Sequence, residues 1–263
     1  MTALPRFGFR CLIALLFTFL LAPVLLVVPM SFSADRFLSW PPSGFSLRWY
    51  TALLHETKLA DAARNSLLLG LLVTTIALGV SVPAAMVLSR RIFPGRAALL
   101  ALLTAPLLLP TIVLALALLI LFVGYGLIGS WTGLTLAHLL VTLPFAVRVL
   151  MTAIATLPGD VEEAAASLGA NPAAVFRRVT LPLLLPGIVA TAAIVFLVSF
   201  DEVVISLFVV GPNLTTLPVA LFRYVESRTD PLVAAVSTLL VLLTLAVVVV
   251  LERAVGVTRA IGR

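Results

Sequence analysis

Long apolar runs alternate along this chain with short polar interruptions. Runs of about 20 mainly apolar residues, enough to cross a bilayer as a helix, occupy about 11–31, 66–89, 97–123, 131–152, 186–209 and 231–251. The pattern predicts six membrane-spanning helices in a single all-α transmembrane domain over 1–263. The first run follows Arg6 and Arg10, as a signal peptide would. It continues through Val27 and Val28 to Pro29 without a small-x-small cleavage site, so it reads as an uncleaved anchor. Pro106 and Pro110 in the third run and Pro144 in the fourth predict kinks whose freed carbonyls neighbouring helices can satisfy. Gly124, Tyr125, Gly126 and Gly129 predict a short turn between the third and fourth spans.

Composition agrees with a lipid solvent. Of 263 residues, 62% are hydrophobic and 11% charged, and the mean hydropathy is +1.23; a soluble domain carries about 25% charged residues. The net charge of +6 would suggest nucleic acid in a soluble protein. Here the basic residues flank apolar runs, where they set topology, so no nucleic-acid partner is expected. If the spans alternate, Arg6, Arg10, Arg90, Arg91, Arg96, Arg148, Arg177, Arg178, Arg253, Arg259 and Arg263 fall on one side. Arg36, Arg48, Lys58, Arg64, Arg223 and Arg228 fall on the other. The positive-inside rule then places both termini in the cytoplasm. The 32–64 segment faces outward, with Trp40, Trp49 and Tyr50 suited to the interface.

One Cys (Cys11) and two His (His55 and His138) exclude a disulfide within the chain and a Cys/His metal cluster. There is no His-Glu-x-x-His or Gly-x-Ser-x-Gly and no paired catalytic acids with a base, which argues against an intramembrane enzyme. A phosphate-binding Gly-x-x-x-x-Gly-Lys-[Ser/Thr] loop is also absent: the single lysine is Lys58, in an outward segment. Any ATP hydrolysis belongs to a partner.

Charge gathers in the longest cytoplasmic connection, about 158–185. Asp160 and Glu163 have the spacing of a capping box, and both suit the positive end of a helix dipole. Gly169 fits a left-handed C-cap. Asn171 can cap a second helix with Pro172 at its first position. Val175, Phe176 and Val179 give that helix an apolar face, and Pro182 and Pro186 are expected to close it. The prediction is a helix–break–helix elbow with small residues that leave its backbone approachable by another protein.

In this stretch the chain resembles the permease subunits of ATP-binding-cassette importers, whose cytoplasmic signature is Glu-Ala-Ala, three residues, Gly, nine residues, Ile-x-Leu-Pro. Here Glu163, Ala164, Ala165, Gly169, Leu181 and Pro182 match, with Val179 for Ile. The stretches LAPVLLVVPMSFS, GFSLRWYTALL, ARNSL and SFDEVVISLFVVGP with TTLP extend the resemblance over most of the chain. They are most similar to permeases of the spermidine/putrescine type; permeases for ferric iron, thiamine and aminoalkylphosphonate share parts of them. The resemblance implies a type I importer permease (MetI-like) fold in a bacterial inner membrane. It implies a pair of cytoplasmic ATP-binding subunits carrying ATP and Mg, a second, related permease and an external solute-binding protein. The coupling residues would be Glu163, Ala164, Ala165, Gly169, Leu181 and Pro182.

Asp201 and Glu202 sit inside the fifth apolar run. Acids at such depth are functional candidates by default. They could line a cavity for a cationic solute, lie at the interface after a span ending near Phe200, or pair with an arginine. Asn65, Ser66 and His138 are expected to tie helices together. A proton- or sodium-coupled carrier remains the rival reading, although it would predict an internal repeat and midplane ionisable residues, and neither is visible.

Overall fold

A computed structural model describes residues 3–255 of the chain. The helices in order are α1 (Ala3–Ser31), α2 (Arg48–Leu53), α3 (Thr57–Arg90), α4 (Arg96–Thr104), α5 (Thr111–Gly124), α6 (Trp131–Ala155), α7 (Gly159–Ser167), α8 (Pro172–Val175), α9 (Leu181–Phe200), α10 (Val204–Val209), α11 (Leu217–Ser227) and α12 (Leu232–Val255). No strand forms among the described residues; one isolated bridge pairs Ser33 with Phe45. Among the described residues, five helices are long and apolar enough to cross a membrane, or six if the bent pair α4–α5 counts as one span. Arg259 and Arg263, used above for topology, lie outside the described residues.

Two predicted spans take a different shape. The third is not one kinked helix. It breaks between α4 and α5 with a bend of 102°, through a 3-10 turn at Ala105–Leu108 and an extended Leu109. Pro106 and Pro110 each remove a backbone donor, and the residue before a proline is pushed out of the helical region. The result is a corner. The fifth is helical from Pro172 and ends at Phe200; α10 is a separate short helix, so 186–209 is not continuous. The second span is longer than expected: α3 has 34 residues, about 51 Å at 1.5 Å per residue, and overruns a hydrocarbon core of about 30 Å.

The chain divides into two compact units. One comprises residues up to 60 with 221–245; the other comprises 61–220 with the residues from 246 on.

In the first unit, the Tyr50 hydroxyl lies 2.7 Å from the Ser31 hydroxyl, and the Tyr50 ring tilts against Phe32. Between α1 and α2, the hydroxyls of Ser33, Ser39 and Ser43 and the Ser43 amide all donate to the Asp35 carboxylate. Those donors, Ser43 foremost, hold its carboxyl well below the usual carboxylate range. At the start of α12, the Tyr224 hydroxyl donates to both Asp230 oxygens, and Arg228 reaches Glu56 at 3.4 Å. The α1 stretch Gly8–Ser31 has no buried position in its most apolar window.

The second unit holds the larger core: Leu69, Val73, Leu118, Phe122, Leu134, Val195, Ile205 and Val209 are all buried. Small residues bring its helices close. A Cβ on Gly187 of α9 would lie 2.6 Å from the Cβ of Ala153 in α6, and one on Gly70 of α3 would lie 2.9 Å from the Phe196 ring. Asn65 and Ser66 tie helices as expected. Asn65 Nδ2 donates to the Thr215 carbonyl at 3.1 Å, and the Leu217 amide donates to Ser66 Oγ at 2.8 Å.

Candidate functional site

The elbow forms, with a different start. Helix α7 begins at Gly159, and its N-cap position is Pro158, with no side-chain cap. Asp160 is therefore not the N-cap, and the expected capping box with Glu163 is absent. Pro158 enters the helix from an extended conformation (φ −68°, ψ 112°), so the chain turns helical two residues earlier than an Asp160 cap would place it. Asp160 and Glu162 remain in the first turn, where the helix dipole favours acids.

The C-terminal end matches the expectation. Gly169 has φ +85°. The Gly169 amide donates to the Ala166 carbonyl at 2.9 Å and the Ala170 amide to the Ala165 carbonyl at 3.2 Å, the paired bonds of a Schellman cap. No atom lies within 4 Å of where a Gly169 Cβ would be. The backbone angle is therefore the reason for glycine here, not lack of room.

Asn171 Oδ1 accepts from the Ala174 amide at 2.8 Å, with Pro172 opening α8. Pro182 and Pro186 do not close this helix, as the sequence reading expected. It runs on through a π turn at Phe176–Thr180 into α9. The Leu181 amide reaches back five residues to the Phe176 carbonyl. Pro182 has no N–H for the Arg178 carbonyl four residues before it, and the widened turn takes up that mismatch. Elbow and span are one bent rod.

Of the sequence-matched positions, Glu163, Ala164, Gly169 and Pro182 are exposed, and Ala165 and Leu181 are half-buried. Val161 is 43% and Leu168 89% exposed. Val161, Ala164 and Leu168, spaced three and four apart, share one face of α7. Leu168 thus leaves a bare apolar side chain at the C-terminal end of α7.

Glu162, which carries no part of the sequence motif, joins the elbow to two other elements. Its Oε2 pairs with Arg90 Nη1 at the end of α3, and its Oε1 accepts from the Thr180 hydroxyl at 2.5 Å. Thr180 is buried, and the Glu162 side chain is 13% exposed. The pair borders a cavity of about 400 Å³ whose walls include Met86, Val87, Val175 and Phe176. One signal was present in the sequence. Adjacent helix residues point about 100° apart, so Glu162 and Glu163 could not both face the same partner.

At the far end of α9, the two acids separate in role. Phe200 ends the helix, so the reading in which the span stops there describes the structure. Glu202 Oε1 accepts from the Ile205 amide at 3.0 Å, holding the first turn of α10. Asp201 is exposed at the C-cap of α9. Beside this break lies His138 of α6, 1% exposed. Its Nδ1 is 2.9 Å from Ser199 Oγ and its Nε2 is 2.9 Å from Ser206 Oγ. One imidazole thus ties together α6 and the helices on both sides of the break. Sequence reading gave His138 a structural role without its partners, because Ser199 and Ser206 lie 61 and 68 positions away.

Among the described residues, no group of three or more His, Cys, Asp or Glu could hold a metal ion.

Comparison with known proteins places this geometry in a family. Residues 77–256 match the family model described as binding-protein-dependent transport system inner membrane component. The chain is 35% identical over 235 residues to the spermidine/putrescine transport system permease protein PotC of Haemophilus influenzae, covering 89% of this chain and 90% of that one. It is 35% identical over 244 residues to the putrescine transport system permease protein PotI of Escherichia coli K12, covering 89% and 86%. Among solved structures, a bacterial ABC transporter involved in import of the acidic polysaccharide alginate superposes with TM-score 0.68 at 16% identity, over 97% of each chain. The MetNI methionine ABC transporter in an inward-facing conformation gives 0.62 at 22% identity, over 78% of this chain and 96% of that one. Fold and sequence agree: the chain belongs to the inner-membrane components of binding-protein-dependent transport systems, and is a permease rather than an enzyme.

Proposed function

We propose that this permease moves a polyamine, or another small organic cation, inward across the membrane. It works as one of two related permease chains driven by a pair of cytoplasmic ATP-binding subunits and fed by an external solute-binding protein. Both termini and the elbow face the cytoplasm in this reading. ATP and Mg sit on the ATPase pair. ATP binding closes that pair and draws the elbows together, and the bent rod from Pro172 to Phe200 passes the movement to the solute pathway. Hydrolysis resets it.

The observation that carries the reading is the bare apolar face of α7, with Leu168 at its tip, on a helix whose Glu162 is tied to Arg90 and Thr180. In this reading the coupling residues are Glu163, Ala164, Ala165 and Gly169 on the elbow and Leu181 and Pro182 where it joins the span. The names of the two polyamine permeases and the exposed carboxylate of Asp201 where a span ends support an amine solute. Helix C-termini carry partial negative charge, which adds to that carboxylate.

The test is uptake in vesicles holding the permease pair with its ATPase subunits and solute-binding protein. Leu168→Asp should leave insertion intact and reduce ATP-driven uptake by about tenfold or more. Wild-type uptake in that variant, or uptake that survives ATP depletion and collapses with an uncoupler, would overturn the coupling assignment. Competition by spermidine, putrescine, ferric iron, thiamine and an aminoalkylphosphonate identifies the solute class.

A further inference from the structure

We infer that Glu162 is the residue through which the elbow drives two spans at once. This rests on the coupling reading above and adds a part to it. The exposed face of α7 accounts for contact with a partner, but not for how its displacement reaches the membrane. Covalently, α7 leads to α9 only through the Gly169 break and the short α8. A left-handed cap with open space around it is a pivot, and a pivot alone transmits little push. Glu162 bypasses it. One carboxylate oxygen pairs with Arg90, the last residue of α3, and the other accepts from Thr180, the last residue of the π turn. Each oxygen serves a different element, so α7, α3 and the root of α9 meet on one side chain.

The chemistry suits a force-bearing joint. The carboxylate forms an ion pair with the Arg90 guanidinium through one oxygen and accepts a charge-assisted hydrogen bond from the Thr180 hydroxyl through the other, and such charged contacts are stronger than neutral ones. The side chain is largely buried, which limits competition from water. Arg90 is also placed where a cation favours the helix end, so the joint reinforces α3 rather than distorting it. Glu162 is a positioning residue. It need touch neither nucleotide nor solute.

The inference separates from general stability by coupling ratio and by rescue. The assembled transporter is reconstituted with its ATPase and binding protein, and both solute uptake and ATP hydrolysis are measured. Thr180→Val and Arg90→Gln each remove one arm; Glu162→Ala removes both. Each single-arm variant should lower solute moved per ATP by about fivefold, and Glu162→Ala by more. Basal hydrolysis and the thermal unfolding midpoint should stay near wild type. The charge swap Arg90→Glu with Glu162→Arg should recover most of the ratio lost in either single swap. Unchanged ratios in all three variants, or a swap no better than its singles, would overturn the joint. So would a fall in ratio matched by loss of the folded protein. Leu168→Asp run in parallel keeps the outcomes distinct: if it abolishes uptake while the Glu162 variants stay coupled, the docking face stands and the joint fails.

Discussion

Gly129 and Gly211 meet backbone to backbone. A Cβ on Gly211 would lie 2.7 Å from the Gly129 Cα, and the Gly129 amide donates to the Val209 carbonyl at 2.8 Å. The turn before α6 and the loop after α10 are thereby locked. Gly211→Ala should force them apart, at about 1–3 kcal/mol for an overpacked contact. A fall in the unfolding midpoint in lipid–detergent micelles, without change in α-helical content, checks it.

His138→Phe should destabilise more than its volume suggests. It fills the space but leaves the Ser199 and Ser206 hydroxyls without their ring partner inside the second unit. The expected loss is about 1–2 kcal/mol, since polar contacts inside membrane proteins are worth less than in the hydrocarbon limit. Adding Ser199→Ala and Ser206→Ala to His138→Phe should restore much of the lost stability. A triple variant no more stable than His138→Phe alone would contradict the pairing.

At Gly169 the order of substitutions distinguishes conformation from space. Asn tolerates left-handed backbone and should retain most uptake. Ala should cost about 1–2 kcal/mol locally, and Val should be worse because branched residues resist positive φ. Gly169→Asp, which also tolerates a left-handed backbone, tests charge instead: it puts a carboxylate beside the docking face and should lower coupled uptake below that of Asn while the protein still inserts. If uptake tracked side-chain volume instead, with Asn no better than Val, the pivot account would fail.

Asp201→Asn should raise the apparent KM for a polyamine by about tenfold, the effect of removing one favourable charge contact. Glu202→Gln should change uptake far less, because the amide oxygen can still accept from Ile205. Equal effects of the two would place neither in the pathway.

The serine cage on Asp35 has a pH signature. Its folded carboxyl titrates below the ordinary value of 3.8. The cage therefore adds stability that is fully present above that value and is lost as the pH falls toward the folded one. Amide protection over residues 33–45, measured against the intrinsic exchange rate at each pH, should fall on acidification below about pH 4. Asp35→Asn should show the lower protection already at neutral pH.

Much of this was legible in advance for physical reasons. Lipid demands long apolar runs, so the span count follows from composition. Gly169, Asn171 and Pro172 act through backbone angles and local hydrogen bonds within a few residues, so they could be read in place. What escaped was long-range or competitive. Glu162 finds Arg90 and Thr180, 72 and 18 positions away, and both Ser partners of His138 are similarly distant. The capping box at Asp160 lost to Pro158, which starts the helix first. Pro182 looked like a stop because a proline usually is one; a widened turn just before it let the helix continue.

That widened turn also sets the elbow's bearing. A π turn holds one more residue than the α-helical path it replaces, which shifts everything beyond it by about 100° of rotation. The direction in which α8 leaves the membrane span, and with it the aim of the elbow, is thus written as a count of residues between Phe176 and Pro182 rather than as any particular side chain. Losing or gaining a single residue there would swing the elbow away from its mate, leaving every matched residue in place and the machine out of phase.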